Sequence, residues 1–304
     1  MNLVKNKDNA LLVSVVMNCF NSEKYLREAI ESVLSQTYQN WEIIFWDNCS
    51  SDKSASIFKS YDDKRLHYHL APKFTELGEA RNLAASCANG EWLSFLDCDD
   101  VWLSKKLEGQ MNISKQEGSE LGIVYGQCLV INNSNIAQSK WVNNQNKYKN
   151  KTVLRVLPEG YIFKKILKFN FIPLLTAIFS REAFNEVGGL SSHFKQAEDY
   201  ELFVKISNIK KVRAVQDVVA FYRVHENNIS IDNEQKGFEE SIEIINRYIP
   251  QNSATRGLSY HHSDYGLQKI KVGKLKEGFY HVIRYGSFID LLAIIMRKIT
   301  RTLW

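Results

Sequence analysis

The stretch EWLSFLDCDDVWLSKKL, residues 91–107, combines a strand pattern with an acidic cluster. The apolar run at 92–96 predicts a buried strand, and Asp97, Asp99 and Asp100 follow it directly. Three carboxylates at the end of a buried strand repel one another and lose hydration, so a cation is expected to compensate their charge. Oxygen ligands at this spacing suit Mg²⁺ or Mn²⁺, which leaves its other positions to water and phosphate.

A helical pattern is predicted after the acidic cluster. Its apolar positions are Trp102, Leu103 and Leu107. The alternative to a metal site is an ordinary strand-to-helix turn, in which Asp99 or Asp100 caps a helix that begins near Val101. Isolated Asp-x-Asp sequences are common, so the surrounding chain has to decide between the two interpretations.

Strands and helices alternate through the first third of the chain. Near-continuous apolar runs at 11–17 and 41–46 predict strands that are buried on both faces, and a helical pattern follows each run. This order predicts a doubly wound α/β sheet with right-handed crossovers, in which ligands bind at the carboxyl ends of the strands. The polar side chains expected at those ends are Asn18, Asp47, Asn48, Asp97 and Asp99.

The composition is that of a globular protein, with 304 residues of which 44% are hydrophobic and 24% are charged. The polar opening MNLVKNKDNA is too short for a signal peptide, and no apolar run reaches the roughly 20 residues that cross a bilayer. The five cysteines form no Cys-x-x-Cys pair, so we expect reduced thiols in a cytoplasmic protein and no zinc site. Glycine-rich phosphate-binding fingerprints are absent, so a nucleotide would be held in another way.

Two segments in the second half carry further candidate site residues. Residues 196–207, QAEDYELFVKIS, predict a helix with Glu198 and Asp199 in its first turn. Residues 212–230 predict a pair of strands that leads to His225. These side chains come far after the acidic cluster in the chain, so only the fold can bring them to it.

Several stretches together resemble the family 2 glycosyltransferases, which are inverting enzymes with a GT-A fold. They are VSVVMNCFNSEKYLREAIESVLSQTYQNWEII (13–44), WDNCSSD (46–52), GEARNLAASCANGEWLSFLDCDDVW (78–102), TAIFSREAFNEVGGL (176–190) and AEDYELFVKI (197–206). They occur in the order that the family has, and the resemblance covers roughly residues 11–230. The fold class implied is an α/β GT-A fold with a mostly parallel, doubly wound sheet. A C-terminal helical tail is expected after it, in residues that the resemblance does not cover.

The resemblance implies roles on the donor side. Asn18 would touch the nucleoside, Asp47 and Asn48 would lie at the base, and Arg81 would lie near the diphosphate. The family commonly has a second Asp where this chain has Asn48, and Gly where it has Cys49. An amide can donate a hydrogen bond, whereas a carboxylate only accepts one. The identity of the nucleotide base that this chain binds therefore stays open, and a UDP-sugar is the favoured substrate.

The resemblance also implies the metal site and the base. Asp97 and Asp99 match the metal-binding Asp-x-Asp, with Asp99 the expected direct ligand of Mg²⁺ or Mn²⁺, and His225 matches a position near the metal or diphosphate. Asp199 matches the catalytic base. The metal would neutralise the leaving diphosphate, and the base would take the acceptor's proton on the opposite face of the sugar. The implied acceptor is a hydroxyl of a glycan or lipid-linked glycan, and no nucleic acid is expected to bind.

Each of these residues has a simpler interpretation. Asp47 could cap the helix that follows it, and Arg81 could be a solvated charge on a helix surface. His225 could be a surface histidine at a strand end. Glu198 is expected to interact with the dipole at the N-terminus of its helix, and Asp199 could do the same.

Three rival functions remain for the whole chain. The string at 97–101 also fits the nucleophile motif of haloacid dehalogenase-like phosphatases, in which Asp97 would be phosphorylated, but that motif usually lies on the first strand rather than the fourth. Sugar nucleotidyltransferases share a related fold but open with a glycine-rich loop. A non-catalytic nucleotide-sugar-binding protein is the third rival, and the presence of Asp99 and Asp199 argues against it.

The resemblance predicts a catalytic domain at 1–232, with a nucleotide-sugar-binding half at 1–120 and an acceptor half at 121–232. A helical region at 233–304 would follow, with helices at 234–249 and 254–285. Between the strands of the acceptor half, the Asn- and Lys-rich residues 133–150 are expected to form a surface loop.

The chain's net charge of +5 is concentrated at its C-terminal end, because residues 264–304 hold eight Lys or Arg and three acids. The apolar stripe expected there consists of Phe288, Leu292, Ile295, Ile299 and Leu303, with Arg297, Lys298 and Arg301 off the stripe. Such a helix either packs on the catalytic domain or lies in an anionic membrane surface. The second alternative predicts a cytoplasmic enzyme that is peripheral on the inner face of the cell membrane.

Overall fold

The computed structural model of the chain describes residues 10–131, 156–226, 234–287, 289–292 and 294–295. The predicted loop at 133–150 lies outside these residues. So do several positions of the predicted tail helix, which are Phe288, Arg297, Lys298, Ile299, Arg301 and Leu303.

The strands of the described residues form one mixed sheet. They are β1 (Val13–Cys19), β2 (Trp41–Asp47), β3 (Leu66–Leu70), β4 (Trp92–Phe95), β5 (Val101–Trp102), β6 (Leu121–Ile131), β7 (Ile178–Ser180) and β8 (Lys211–Arg223). Their order across the sheet is β3-β2-β1-β4-β7-β6-β8-β5. Four of the strand pairings are parallel and three are antiparallel, so the sheet is mostly parallel as predicted.

Helices connect the strands and cover the sheet. They are α1 (Leu26–Leu34), α2 (Ser54–Lys59), α3 (Leu77–Ser86), α4 (Lys106–Glu117), α5 (Phe163–Ile166), α6 (Arg181–Glu186), α7 (Glu198–Ile209), α8 (Glu234–Asn246), α9 (Asn252–Lys271) and α10 (Leu275–Tyr285), with short 3₁₀ turns at Gly118–Glu120 and Leu174–Thr176. Two hydrophobic clusters lie on the two faces of the sheet. Successive residues of one strand therefore enter different clusters, as Val15 and Val16 of β1 do, which explains the continuous apolar runs.

The prediction of a helix directly after the acidic cluster is wrong. Val101 and Trp102 form the short strand β5, which pairs with Phe221 and Ala220 of β8, and the next helix begins at Lys106. The indole N–H of the fully buried Trp102 donates to the carbonyl oxygen of Leu175 at 2.8 Å. Tertiary pairing at the sheet edge therefore overrides the helical spacing of these apolar residues.

The prediction of a strand pair at 212–230 is also wrong, because β8 is one strand of 13 residues. Its register against β6 shifts between the pairs Tyr125–Ala214 and Gln127–Val218. The exposed Gln216 and Asp217 lie at this irregularity, so the polar pair that resembles a turn in the sequence forms a bulge instead.

The single helix predicted at 254–285 is two helices in the structure. A break at 272–274 separates α9 from α10, and Gly273 there has a φ of +83°. The two helices pack closely because a Cβ on Gly266 would lie 2.6 Å from the carbonyl oxygen of Gly278. The helices of the described residues include none that is long and apolar enough to cross a membrane.

We expect Gly90→Ala to destabilise the fold by about 1–3 kcal/mol, because overpacking a fixed backbone costs that amount. Its added Cβ would lie 2.6 Å from the Leu12 carbonyl oxygen and 2.7 Å from the Ser14 nitrogen. Gly109→Ala is the matched control, since its Cβ in α4 would meet only the Val215 side chain at 3.6 Å, and it should stabilise by up to about 1 kcal/mol. Denaturant unfolding measures both, and a Gly90→Ala protein as stable as wild type would contradict the packing.

Candidate active site

The three carboxylates after β4 have different environments. The Asp100 backbone N–H donates to the Asp97 carbonyl oxygen at 3.1 Å, which closes a tight turn. Asp97 and Asp99 keep 41% and 26% of their side chains exposed, whereas Asp100 is 1% exposed. Burial, with the neighbouring charges of Asp99 and Asp97, raises the pKa of Asp100 well above its ordinary value. Only Asp97 and Asp99 can therefore face a ligand.

Asp99 and His225 contact each other, although 126 positions separate them in the chain. Their Oδ2 and Nε2 atoms are 2.8 Å apart, and the Tyr25 ring stacks on the imidazole with a centroid distance of 5.4 Å. Burial and the charge of Asp97 raise the pKa of Asp99, while the bond to His225 opposes this shift. The structure thus brings His225 to the acidic cluster instead of leaving it on a free surface.

A divalent cation fits this acidic pair. The charge of Asp97 raises the pKa of the half-buried Asp99, so a positive ion between these carboxylates would relieve a repulsion that the protein alone only partly offsets. Mg²⁺ typically uses one or two carboxylates and fills its other positions with water and phosphate. Among the described residues, no group of three or more His, Cys, Asp or Glu side chains is already arranged to hold a metal.

Arg81 joins the acidic cluster to the first turn of α7. Its guanidinium donates to Asp97 Oδ1 at 2.5 Å and to Glu198 Oε1 at 3.0 Å, and the Arg81 side chain is only 5% exposed. Arg81 is therefore a buried cation shared by two carboxylates rather than a solvated surface charge. Its predicted place near a diphosphate stays a prediction, since both contacts are with protein.

Glu198 is a residue whose contact the sequence did not reveal. It was expected only to interact with the dipole of its helix, but its buried carboxylate pairs with Arg81, which lies 117 positions away. Burial raises the pKa of Glu198 and the charge of Arg81 opposes the shift. The sequence shows only that an acidic residue precedes the candidate base, and this does not identify Arg81 as the partner of Glu198.

Asp199 follows Glu198 and lies half-buried at the start of α7. Its Oδ1 accepts the backbone N–H of Tyr200 at 2.5 Å. Burial and the adjacent negative charge of Glu198 raise the pKa of Asp199 to about 7, against the opposing charge of Arg81. A carboxyl group with a pKa near neutrality can accept a proton more readily than an ordinary aspartate.

The predicted donor-side residues surround the carboxyl ends of β1 and β2. Asp47 is 1% exposed, and its Oδ2 and Oδ1 accept the Tyr68 hydroxyl at 2.6 Å and the Ser50 backbone N–H at 2.8 Å. It therefore braces β3 and the turn after β2 and does not cap α2. Asn48 exchanges hydrogen bonds with the backbone of Thr75 at 2.8 and 3.2 Å. These contacts fix the two loops that flank this end of the sheet.

Two further features of this edge are a polar atom without a partner in the described part of the chain and an exposed aromatic pair. The buried side-chain oxygen of Asn18 has no hydrogen-bond partner among the described residues. Phe20 and Phe74 are 49% and 54% exposed, and their rings meet edge to face with a centroid distance of 5.0 Å. A polar atom without a partner beside exposed aromatic rings is an arrangement that suits a planar heterocycle, which offers both donors and a stacking face.

Arg223 is a second buried cation that the sequence analysis missed. It is fully buried at the end of β8, and its guanidinium donates to the Asp99 carbonyl oxygen at 2.8 Å and to Glu28 Oε2 at 2.6 Å. Its backbone N–H donates to Asp100 Oδ1 at 2.8 Å. Arg223, two residues before His225, therefore holds the acidic turn through bonds to Asp99 and Asp100.

Comparison with known proteins identifies the family of the chain. The family model for glycosyl transferase family 2 matches residues 14–188. The UDP-Glc:alpha-D-GlcNAc-diphosphoundecaprenol beta-1,3-glucosyltransferase WfgD of Escherichia coli is 30% identical over 240 residues, which cover 78% of this chain and 87% of that protein.

Solved structures show the same fold. The structure of S. aureus TarS 1-349 in complex with UDP-GlcNAc matches with a TM-score of 0.66 and 18% identity, over 90% of this chain and 80% of that one. The mannosyltransferase PcManGT from Pyrobaculum calidifontis, in complex with GDP-Man and Mn²⁺, matches with a TM-score of 0.63 and 17% identity, over 98% and 82%.

The predicted fold class is therefore confirmed, and a haloacid dehalogenase-like phosphatase is not favoured. The family model covers more than half of the chain, and WfgD matches most of both sequences. The chain belongs to glycosyl transferase family 2 and has the GT-A fold.

Proposed function

We propose that this chain transfers a hexosyl or N-acetylhexosaminyl group from a UDP-sugar to a hydroxyl of a lipid-linked glycan, with inversion at the anomeric carbon. The observation that carries the proposal is the Arg81 bridge, which ties Asp97 to Glu198 and so brings Asp199 to the acidic turn. An inverting displacement needs a group that neutralises the leaving diphosphate and a separate base for the acceptor. The bridge joins one carboxylate of the proposed metal pair to the residue that directly precedes the proposed base.

Asp199 is the proposed base. Its pKa of about 7 lets it take the proton of the acceptor hydroxyl as the new bond forms at neutral pH. Glu198 contributes to that pKa through its negative charge, and Arg81 limits the shift. The base is thus tuned by its two neighbours, and Glu198 has no proposed contact with substrate.

The proposed donor site lies at the carboxyl ends of β1 and β2. Asn18 would use its unpartnered oxygen toward the nucleoside, and the exposed rings of Phe20 and Phe74 offer a face for stacking a base. Asp47 and Asn48 are proposed to shape the base pocket through the turns they hold, and Arg81 to act near the diphosphate. The names of WfgD and of the TarS complex, which specify UDP-Glc and UDP-GlcNAc, support a UDP-sugar.

Asp99 and Asp97, with His225 beside them, would hold Mg²⁺ or Mn²⁺. When bound, the ion would neutralise charge on the leaving diphosphate. The Mn²⁺ in the PcManGT complex supports a divalent ion for this site. Arg223 would support this site, because its backbone N–H binds the Asp100 carboxylate and its guanidinium binds the Asp99 carbonyl oxygen. These bonds hold Asp100 inside the protein and leave the carboxylates of Asp97 and Asp99 for the ion.

The acceptor proposal rests on the name of WfgD, whose substrate is a diphosphoundecaprenol-linked GlcNAc. A lipid-linked acceptor lies at a membrane surface, so we place the enzyme as a peripheral protein on the cytoplasmic face of the cell membrane. The five cysteines are free thiols, which is typical of proteins in reducing compartments.

We expect Asp99→Asn to lower turnover at least about 100-fold with the fold intact, because the substitution removes a charged ligand of the ion that stabilises the leaving group. The measurement is kcat in saturating Mn²⁺ with UDP-sugar donors, alongside circular dichroism. Asp62→Asn, at an exposed position of the chain, is the matched control and should retain wild-type turnover. Wild-type kcat in Asp99→Asn would remove the metal assignment.

Asp199→Asn should bind the donor with unchanged affinity but transfer about 10²–10⁴-fold more slowly, because it lacks the base. In the wild-type enzyme kcat/KM should rise with pH and level off above about pH 7, since only the deprotonated Asp199 accepts the proton. The residual activity of Asp199→Asn should not show this rise of kcat/KM with pH. Calorimetry measures donor binding. If Asp199→Asn loses both donor binding and transfer, Asp199 belongs to the donor site and is not the base.

A further inference from the structure

The helix α10 leaves an apolar stripe exposed. Val272, just before the helix, and Leu275, Phe279 and Ile283 are 68%, 53%, 50% and 78% exposed. Leu275, Phe279 and Ile283 recur every four residues, which places them on one side of the helix, and Val272 lies in the turn that precedes it. The other side packs through the buried Gly278, on which a Cβ would lie 2.5 Å from the carbonyl oxygen of Gly266 in α9. The helix therefore packs through glycine and exposes its large apolar side chains.

The charges around this stripe have one sign. The exposed charged residues at 271–285 are Lys271, Lys274, Lys276 and Arg284. The acid of this segment, Glu277, is half-buried, where it accepts the Tyr265 hydroxyl at 3.2 Å and lies 3.6 Å from Lys269 Nζ. Outward-facing cations thus surround the apolar stripe.

The predicted tail stripe is only partly described. Leu292 and Ile295 of the predicted stripe are partly covered by the protein, with 46% and 37% of their surface exposed. Ile289, three residues before Leu292, is 78% exposed. Ile294, which the predicted stripe omits, is fully buried. The larger exposed apolar surface of the described C-terminal region therefore begins earlier than predicted, at Val272.

We propose that the α10 face, formed by Val272, Leu275, Phe279 and Ile283 with Lys276 and Arg284, binds the surface of an anionic phospholipid bilayer. An amphipathic helix with basic flanks lies in the interface, where its apolar side chains enter the acyl boundary and its cations meet anionic headgroups. A second copy of the chain on this face would also bury the stripe, but it would bring together four exposed cations from each copy against the one half-buried carboxylate of Glu277. The bilayer satisfies both the apolar and the charged part of the face.

The experiment is flotation of the full chain with vesicles of phosphatidylcholine alone or mixed with phosphatidylglycerol. Wild type should float only with the anionic vesicles, and less at high salt. Phe279→Ser/Ile283→Ser should reduce the bound fraction about tenfold, because it removes half of the stripe. Val130→Ser, which replaces a 63% exposed valine of β6, is the control and should float as wild type does.

Wild type that ignores anionic vesicles, or a double variant that floats like wild type, would overturn the proposal. A wild-type dimer that the double variant converts to monomer would assign the face to self-association instead. Transfer to a lipid-free acceptor tests the proposed function separately, because the double variant should keep wild-type turnover there whether or not the face binds lipid.

An independent observation concerns Glu240 of α8. Its carboxylate accepts three consecutive backbone N–H groups just before α7, those of Lys195 (3.0 and 3.1 Å), Gln196 (2.8 Å) and Ala197 (3.0 Å), and Glu240 is 7% exposed. The residue before α7 is Ala197, whose side chain cannot cap a helix. Glu240 therefore satisfies these donors from a helix that lies beyond the matched family region of 14–188.

We infer that Glu240 is a positioning residue for the base, an inference that rests on the proposed function. It fixes the turn at 195–197, and the next residues are Glu198, which reaches Arg81, and Asp199. A second tie between the helices, the ion pair of Arg247 with Glu201, lies further along α7. Without the Glu240 carboxylate, the turn would have to find other partners for its N–H groups, and the first turn of α7 would move or fray.

The test compares Glu240→Ala, Glu240→Gln and the control Glu239→Ala, which removes an exposed acid of the same helix. Glu240→Ala should lower kcat about tenfold or more at an unchanged donor affinity, because a misplaced base costs rate and not donor binding. Glu240→Gln should recover most of the rate, since its amide oxygen still accepts. Glu239→Ala should behave as wild type.

Hydrogen exchange at 195–203 provides a second readout that does not depend on transfer. Exchange there should increase in Glu240→Ala and stay unchanged in Glu239→Ala. Wild-type kcat or unchanged exchange in Glu240→Ala would overturn the inference. Absence of transfer by the wild-type enzyme would instead contradict the proposed function, while the exchange result would still decide the role of Glu240.

Discussion

A buried guanidinium between two carboxylates is the contact on which the site depends. Arg81 loses nearly all of its hydration in α3, and Asp97 and Glu198 replace the water with charge-assisted bonds. Removing one partner of such a group leaves an uncompensated buried charge, which typically costs about 3–5 kcal/mol. Since the partners come from the turn after β4 and from α7, this requirement connects the acidic turn to α7.

A second buried arginine completes the support of the acidic turn. Arg223 binds the Asp99 carbonyl oxygen and Glu28 through its side chain, and Asp100 through its backbone N–H. The turn is thus held by one cation from α3 and another from β8. This arrangement leaves Asp97 and Asp99 oriented toward solvent while Asp100 is used internally, so three similar side chains acquire two different roles.

The helices after the sheet belong to the same packed unit as the site. Ile244 and Ile245 of α8 are fully buried in the cluster that also contains Phe203 of α7. Glu240 extends this contact to the backbone that begins α7. The exposed stripe of α10 lies further along the same helical region, so one region combines a contact that supports the proposed base with a surface that we assign to lipid.

The sequence by itself determined most of the helices and strands, because burial on one or both faces of an element leaves a local periodicity. The apolar runs of β1 and β2 predict strands, and parallel strands bring their carboxyl ends together, which placed Asn18, Asp47 and Asp97 at one edge. Only the tertiary structure decided that Val101 and Trp102 pair with β8, that Asp100 is internal, and that Arg81 meets Glu198. Those outcomes depend on pairings between residues about a hundred positions apart, and the free energy of desolvating a charge is set by the partner that the fold supplies, which no local pattern encodes.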